Sequence, residues 1–243
     1  MAARVGKLGG NSNGQPALYA TPPQYISHMV KPALTTFLFD LDGTLIDSVE
    51  LIRRTFRHTL EVHRGTHPGE ELWLKGLGQP LWDQFQAYTT DQAEIDAMIA
   101  TYRAYNTAHH DALVRQYAGM EEVIRSLRQR GKRLGVVTSK MQKGTQQGLA
   151  LCGLGGQFDT VVAADDTQRH KPHPEPVYLA LERLGADAAS TVFIGDSTHD
   201  LAAGRAAGVR TGAAMWGPFS REELAKHEPD YWLRTPSEIT MLK

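Results

Sequence analysis

The chain has 243 residues, 41% of them hydrophobic and 22% charged, an ordinary globular composition that excludes disorder over the whole length. Lys and Arg total 26 against 27 Asp and Glu, so there is no basic excess to collect nucleic-acid phosphates or an anionic membrane surface. The single cysteine, Cys152, excludes an intramolecular disulfide and fits a reducing, cytoplasmic setting, and no apolar run approaches the ~20 residues of a membrane span.

Residues 1–30 carry no acid and are rich in Gly, Asn, Pro and Ala; the first acidic residue is Asp40. They lack the apolar stretch of a secretory signal, so a disordered N-terminal extension is expected, with Met29 as an alternative start. The β-rich run Thr35–Phe39 predicts a first strand buried on both faces of a parallel sheet. Further strands are expected at 133–137, 160–163 and 191–194, with a weaker one at 209–213. Between them, Met120, Val123, Ile124 and Leu127 fall on one helix face, as do Val177, Leu181 and Leu184 after Pro174 and Pro176. Alternating strands and helices imply βαβ units and an α/β fold, a Rossmann-like parallel sheet.

Residues 48–116 break that rhythm. Ile52, Phe56 and Leu60, and then Ile95, Met98, Ile99 and Tyr102, have helical spacing, and no strand is apparent. The expected domains are an α/β core of 31–47 and 117–243, and an inserted α-helical cap of 48–116. The cap would sit over the carboxyl edge of the sheet, where open α/β sheets bind ligands. It holds seven basic and nine acidic residues, so anion recognition there has to come from a few placed groups. Gly76–Pro80 suits either an interhelical turn or a substrate-facing loop. His63 and His67 have metal-ligand spacing, but Gly65 and Pro68 interrupt it.

The chemistry-bearing residues stand at strand ends. Asp40-Leu41-Asp42-Gly43-Thr44 follows the first strand, and a carboxylate pair so close is costly unless a cation or a proton neutralises it. Mg²⁺ is the usual one beside phosphate. Thr138 and Ser139 end the second strand, where hydroxyls and N–H groups can hold a phosphoryl oxygen or cap the next helix. Lys171 lies in a proline-stiffened loop. Asp196 and Asp200 span the strand-to-helix turn after the fourth strand, with Ser197 suited to capping.

These four motifs, in this order, resemble the haloacid dehalogenase superfamily over about residues 34–240. The resemblance implies Asp40 as nucleophile, Asp42 as general acid and base, Thr138 and Ser139 as phosphoryl-binding groups, and Lys171 as the charge-neutralising lysine. It implies a Mg²⁺ site formed by Asp40, the Asp42 carbonyl and Asp196, with Asp200 behind it orienting Lys171 or a metal-bound water. An acid at position 42 points to phosphoryl rather than halide chemistry. The helical cap points to a small phosphate-bearing substrate. Met98–Asn106, His110–Val114, Asp165-Asp166 and Ala225–Asp230 resemble PpaX-type inorganic pyrophosphatases, with phosphoglycolate phosphatases as near relatives and the alternative reading. His173 and Ser197 depart from that pattern at positions outside the chemistry. Arg103, Asn106 and His110 lie in the matching cap string at i, i+3, i+7 and are the expected substrate contacts. A phosphomutase and a non-catalytic module are the remaining classes, the latter disfavoured because Asp40, Asp42, Lys171 and Asp196 are all present. A monomer or weak homo-oligomer is expected.

Overall fold

Thr36–Phe39 form β1, whose side chains alternate between two apolar layers: Phe37 and Phe39 enter one, Leu38 the other. That alternation is why the strand is apolar at every position. In the computed structural model, which describes residues 32–66, 74 and 76–243, β1 is central to a parallel sheet. Beside it are β4 (Arg133–Val137) and β6 (Thr191–Gly195), with β5 (Thr160–Val162) outside β4 and β7 (Arg210–Ala214) and β8 (Tyr231–Leu233) outside β6. The expected N-terminal extension, Met29 and His67 lie outside the described residues.

The predicted α/β class and parallel sheet are met, and the five expected strands are found within a residue of their predicted limits. β8 is additional. So is a short antiparallel pair, β2 (Ile46–Asp47) with β3 (Arg115–Gln116), that brackets the insertion. Between them lie α1 (Val49–Arg64), α2 (Leu81–Gln86) and α3 (Gln92–Leu113). Gly65, in the left-handed region at φ 69°, ends α1 two residues after His63. Phe56, Leu60, Phe85, Ile95, Met98 and Tyr102 form one apolar cluster with Leu201, Ala213, Phe219 and Leu224, which belong to the sheet's side of the molecule. The insertion is therefore packed onto the core, and all described residues fall in one compact unit.

Four more helices cover the sheet or its edge: α4 (Met120–Gln129), α5 (Gln142–Leu151), α6 (Glu175–Leu184) and α7 (Thr198–Ala206). A short α8 (Arg221–Ala225) precedes β8. α4 buries Met120, Val123, Ile124 and Leu127 against one face, and α6 buries Val177, Ala180 and Leu181 against the other. No described helix is long and apolar enough to cross a membrane.

Candidate active site

Parallel strands end together, so the turns after β1, β4 and β6 meet at one edge of the sheet. Asp40 is held there by its own N–H, which donates to the Ile194 carbonyl at 2.9 Å. The chain then turns sharply: Leu45 and Ile46 N–H both donate to the Leu41 carbonyl, and Gly43 takes φ 85°. Gly43 is required twice over, because a Cβ there would lie 2.5 Å from Asp196 Oδ2.

Lys171 is 2% exposed, and its ammonium donates to Asp40 Oδ1 at 2.7 Å and to Asp200 Oδ1 at 2.6 Å. Burial alone would strip its charge, but the Asp200 and Asp40 carboxylates outweigh that and raise its pKa. The other oxygen of Asp200 accepts from Ser197 N–H and Oγ, closing a capping box at the start of α7. Asp196 accepts from Thr44 Oγ1 through Oδ1 at 2.7 Å, while its Oδ2 is buried with no hydrogen-bond partner.

Three buried carboxylates, Asp40, Asp196 and Asp200, thus stand around one lysine, which bonds Asp40 and Asp200; fully ionised, they would outnumber it by two charges. Burial, reinforced by the neighbouring carboxylates, pushes Asp40 up to about 7 and Asp196 well above the usual range. Ligand oxygens of the three lie within 4.8 Å of one another. An unpartnered oxygen, an all-carboxylate donor set and a double negative excess fit a hard divalent cation. Asp196 offers such an ion an oxygen, Oδ2, that no hydrogen bond occupies. The two oxygens of Asp200 are already committed to Lys171 and Ser197.

Asp42 faces elsewhere. Its Oδ1 accepts from Lys140 Nζ at 2.8 Å and from Ser48 Oγ at 2.6 Å. Burial works to raise its pKa, but the Lys140 charge and these two hydrogen bonds prevail and lower it. Nothing in the sequence singles out Lys140, since a lysine just beyond a strand reads as solvated. Ser48 is equally silent there, and Thr44, though part of the first motif, carries no expected role.

Thr138 is 5% exposed, and its Oγ1 accepts from Lys140 N–H, leaving the hydroxyl proton free to donate. Ser139 donates instead to the Gly78 carbonyl at 2.6 Å, joining the strand end to the Gly76–Pro80 turn of the insertion. Neither hydroxyl caps α5, whose N-cap position is Met141. The expected capping role for Thr138 or Ser139 is therefore replaced by contacts within the site.

A cleft of about 660 Å³ opens from these carboxylates toward the insertion, within the ~300–1,000 Å³ of small-molecule sites. Arg103, Asn106 and His110 all line it, which the i, i+3, i+7 spacing predicts. They differ in freedom. Arg103 is exposed. Asn106 lies 3.5 Å from Thr55 Oγ1 on α1. His110 is 2% exposed, with Nδ1 on Asp111 Oδ1 at 2.8 Å and Nε2 buried without a partner.

Comparison with known proteins agrees with this geometry. The chain is 42% identical over 212 residues to the pyrophosphatase PpaX of Bacillus pumilus, covering 87% of this chain and 97% of that protein. A crystal structure described as a haloacid dehalogenase-like hydrolase from Bacteroides fragilis superposes with a TM-score of 0.78 at 28% identity, over 83% of this chain and 97% of the other. One described as a phosphoglycolate phosphatase from Lactobacillus plantarum gives 0.76 at 25%, over 87% and 100%. The profile of the haloacid dehalogenase-like hydrolases matches residues 37–214, which spans every strand end described above, and the chain is a member of that family.

Proposed function

We propose that the chain is a Mg²⁺-dependent phosphohydrolase that passes through an aspartyl-phosphate on Asp40 and hydrolyses inorganic pyrophosphate. In the first half-reaction an Asp40 oxygen attacks phosphorus, the bond to the leaving oxygen breaks, and Asp42 gives that oxygen a proton. In the second, Asp42 takes a proton from water, which attacks the same phosphorus and frees phosphate and Asp40. Asp42 as found, ionised beside Lys140, is in the form the second half needs. Lys171 holds Asp40 in place and meets the phosphoryl oxygens with positive charge, and the Thr138 hydroxyl donates to one of them. Asp40, the Asp42 carbonyl and Asp196 would hold Mg²⁺, which when bound lets an anionic phosphate approach an anionic carboxylate.

Residues 48–116 act in this reading as a cap that shields the cleft from water, with 31–47 and 117–243 as the catalytic core. The carrying observation is the 42% identity to a pyrophosphatase over nearly its full length, which includes the insertion that faces the leaving half. Phosphoglycolate phosphatase is the second reading, favoured by the structural match to the Lactobacillus plantarum protein. The lone buried Cys152 suits a cytoplasmic enzyme, and we expect a monomer or weak homo-oligomer. Phosphate release from pyrophosphate, phosphoglycolate, sugar phosphates and nucleotides, with and without Mg²⁺, tests the assignment. Preference for pyrophosphate supports it; preference for phosphoglycolate replaces it with the second reading.

A further inference from the structure

Two lysines divide the two motif carboxylates between them. Lys171 serves Asp40 from a sealed position, its side chain 1% exposed, whereas Lys140 serves Asp42 from the wall of the cleft, its side chain 16% exposed. Asp42 does not depend on Lys140 for its placement, because Ser48 Oγ holds the same carboxylate oxygen at 2.6 Å. The stem of Lys140 lies across the first turn of α5, where Gly144 leaves it room: a Cβ there would stand 3.1 Å from Lys140 Cε. An ammonium has three N–H donors, and Asp42 is the one side-chain acceptor it has among the described residues.

The charges around the cleft are segregated. Its acidic lining groups, Asp40, Asp42 and Asp196, all stand at strand ends. Its other charged lining groups, apart from the sealed Lys171, are the cations Arg103, Lys140 and Lys143. A substrate with its transferring phosphoryl group at Asp40 has its leaving oxygen at Asp42, and so its leaving half beside Lys140.

We propose that Lys140 binds the negative charge on the leaving half of the substrate, and thereby selects substrates whose leaving half is itself an anion, a second phosphate or a carboxylate. The proposal rests on the phosphohydrolase reading of the site, and not on the choice of pyrophosphate within it. Lys140 keeps its bond to Asp42 and offers its remaining donors to the incoming anion, a charge-assisted contact of the stronger kind.

Four substrates separate this role from an effect exerted through Asp42. Pyrophosphate and phosphoglycolate have anionic leaving halves, while p-nitrophenyl phosphate and glycerol phosphate do not. Phosphoglycolate and glycerol phosphate release alkoxides that need a proton, while the other two release weaker bases. Lys140→Met should lower kcat/KM about tenfold or more on pyrophosphate and phosphoglycolate, and less than about threefold on the other pair. Lys140→Arg, which keeps the charge, should retain most of the preference. An unchanged thermal melt reports a folded enzyme; should the Met variant not fold, Lys140→Gln takes its place.

Losses that follow the need for a proton, falling on phosphoglycolate and glycerol phosphate, would overturn the proposal and make Lys140 a positioning residue for Asp42. Equal losses on all four substrates, or none, would overturn it as well. If the wild-type enzyme leaves pyrophosphate intact, the pyrophosphatase reading falls alone, and phosphoglycolate against glycerol phosphate still decides the role of Lys140. If it hydrolyses none of the four, both fall together.

Discussion

The strand ends and the helical insertion line one cleft, yet they hold their polar groups in opposite ways. At the strand ends nearly every group has a short, buried partner: Lys171 between Asp40 and Asp200, Thr44 on Asp196, Ser197 on Asp200. On the insertion, Arg103 is exposed, Asn106 reaches Thr55 only at 3.5 Å, and His110 leaves one ring nitrogen without a partner. In the proposed reading, preorganisation is concentrated where the transferred group is handled, as electrostatic catalysis requires, and the side proposed to meet the variable half of a substrate is left less tightly bonded. A transferring phosphoryl group is common to every substrate of such a site; a leaving half is not.

The comparison predicts a gradient of mutational effects. The steepest belongs to Asp40. Asp40→Asn should lower turnover about a thousandfold or more on every substrate and abolish trapping of a phosphoryl-enzyme in quenched reactions. Retained turnover would break the contrast at its fixed end.

Lys171→Met comes next, and its effect reaches stability. It leaves buried carboxylates without their cation, a change worth about 3–5 kcal/mol, so Tm should fall by at least about 6 °C in thermal melts. Added Mg²⁺ should restore part of the loss, since it addresses the same excess charge. An unchanged Tm in metal-free buffer would show that the three carboxylates are balanced by something other than Lys171.

Gly217→Ala is milder and sharper. A Cβ at Gly217 would stand 2.3 Å from Asp196 Cβ, so the side chain that offers its free oxygen to a cation must move. The half-saturating Mg²⁺ concentration should rise about tenfold, and Tm in metal-free buffer should fall by a few degrees, because the displaced atom is the buried Cβ of Asp196 and not a free side-chain end. A normal metal titration would remove Asp196 from the metal site.

The smallest effects are expected on the insertion. Asn106→Ala and His110→Ala should each lower kcat/KM for pyrophosphate about threefold to tenfold, with less change on glycerol phosphate. Uniform loss across substrates would assign both side chains to packing, and the division between a fixed and an adaptable side would lose its meaning.

How far the sequence carries the reader follows the same boundary. β1 and β4 to β7 are legible because a strand buried on both faces is apolar at every position, and the residues after them stand out as polar. Asp40, Asp42, Thr138, Asp196 and Asp200 are local to such ends, while Lys171, in the loop between β5 and α6, stands out by the prolines that follow it. β2 and β3 have two residues each, too few to show any period, and β8 is an edge strand with only Leu233 fully buried. Lys140 is illegible for a different reason. Its partner Asp42 is 98 positions away, and only the parallel alignment of β1 with β4 brings the two together. Ser139 likewise looks like a phosphate ligand or a cap until the fold sets the Gly78 carbonyl beside it.

The β2–β3 pair has a consequence of its own. Ile46 faces Gln116 and Asp47 faces Arg115, so the chain leaves the sheet and returns to it side by side, through a single hydrogen-bonded stem. The described residues between Ser48 and Val114 enter and leave through that stem, and they also pack on the core. A change of length within such a segment leaves the register of the six-stranded sheet alone where its apolar contacts with Leu201, Ala213, Phe219 and Leu224 are kept. The architecture is that of a tool holder: in the proposed reading, one stem carries the fitting that meets the substrate, while the sheet behind it holds the chemistry.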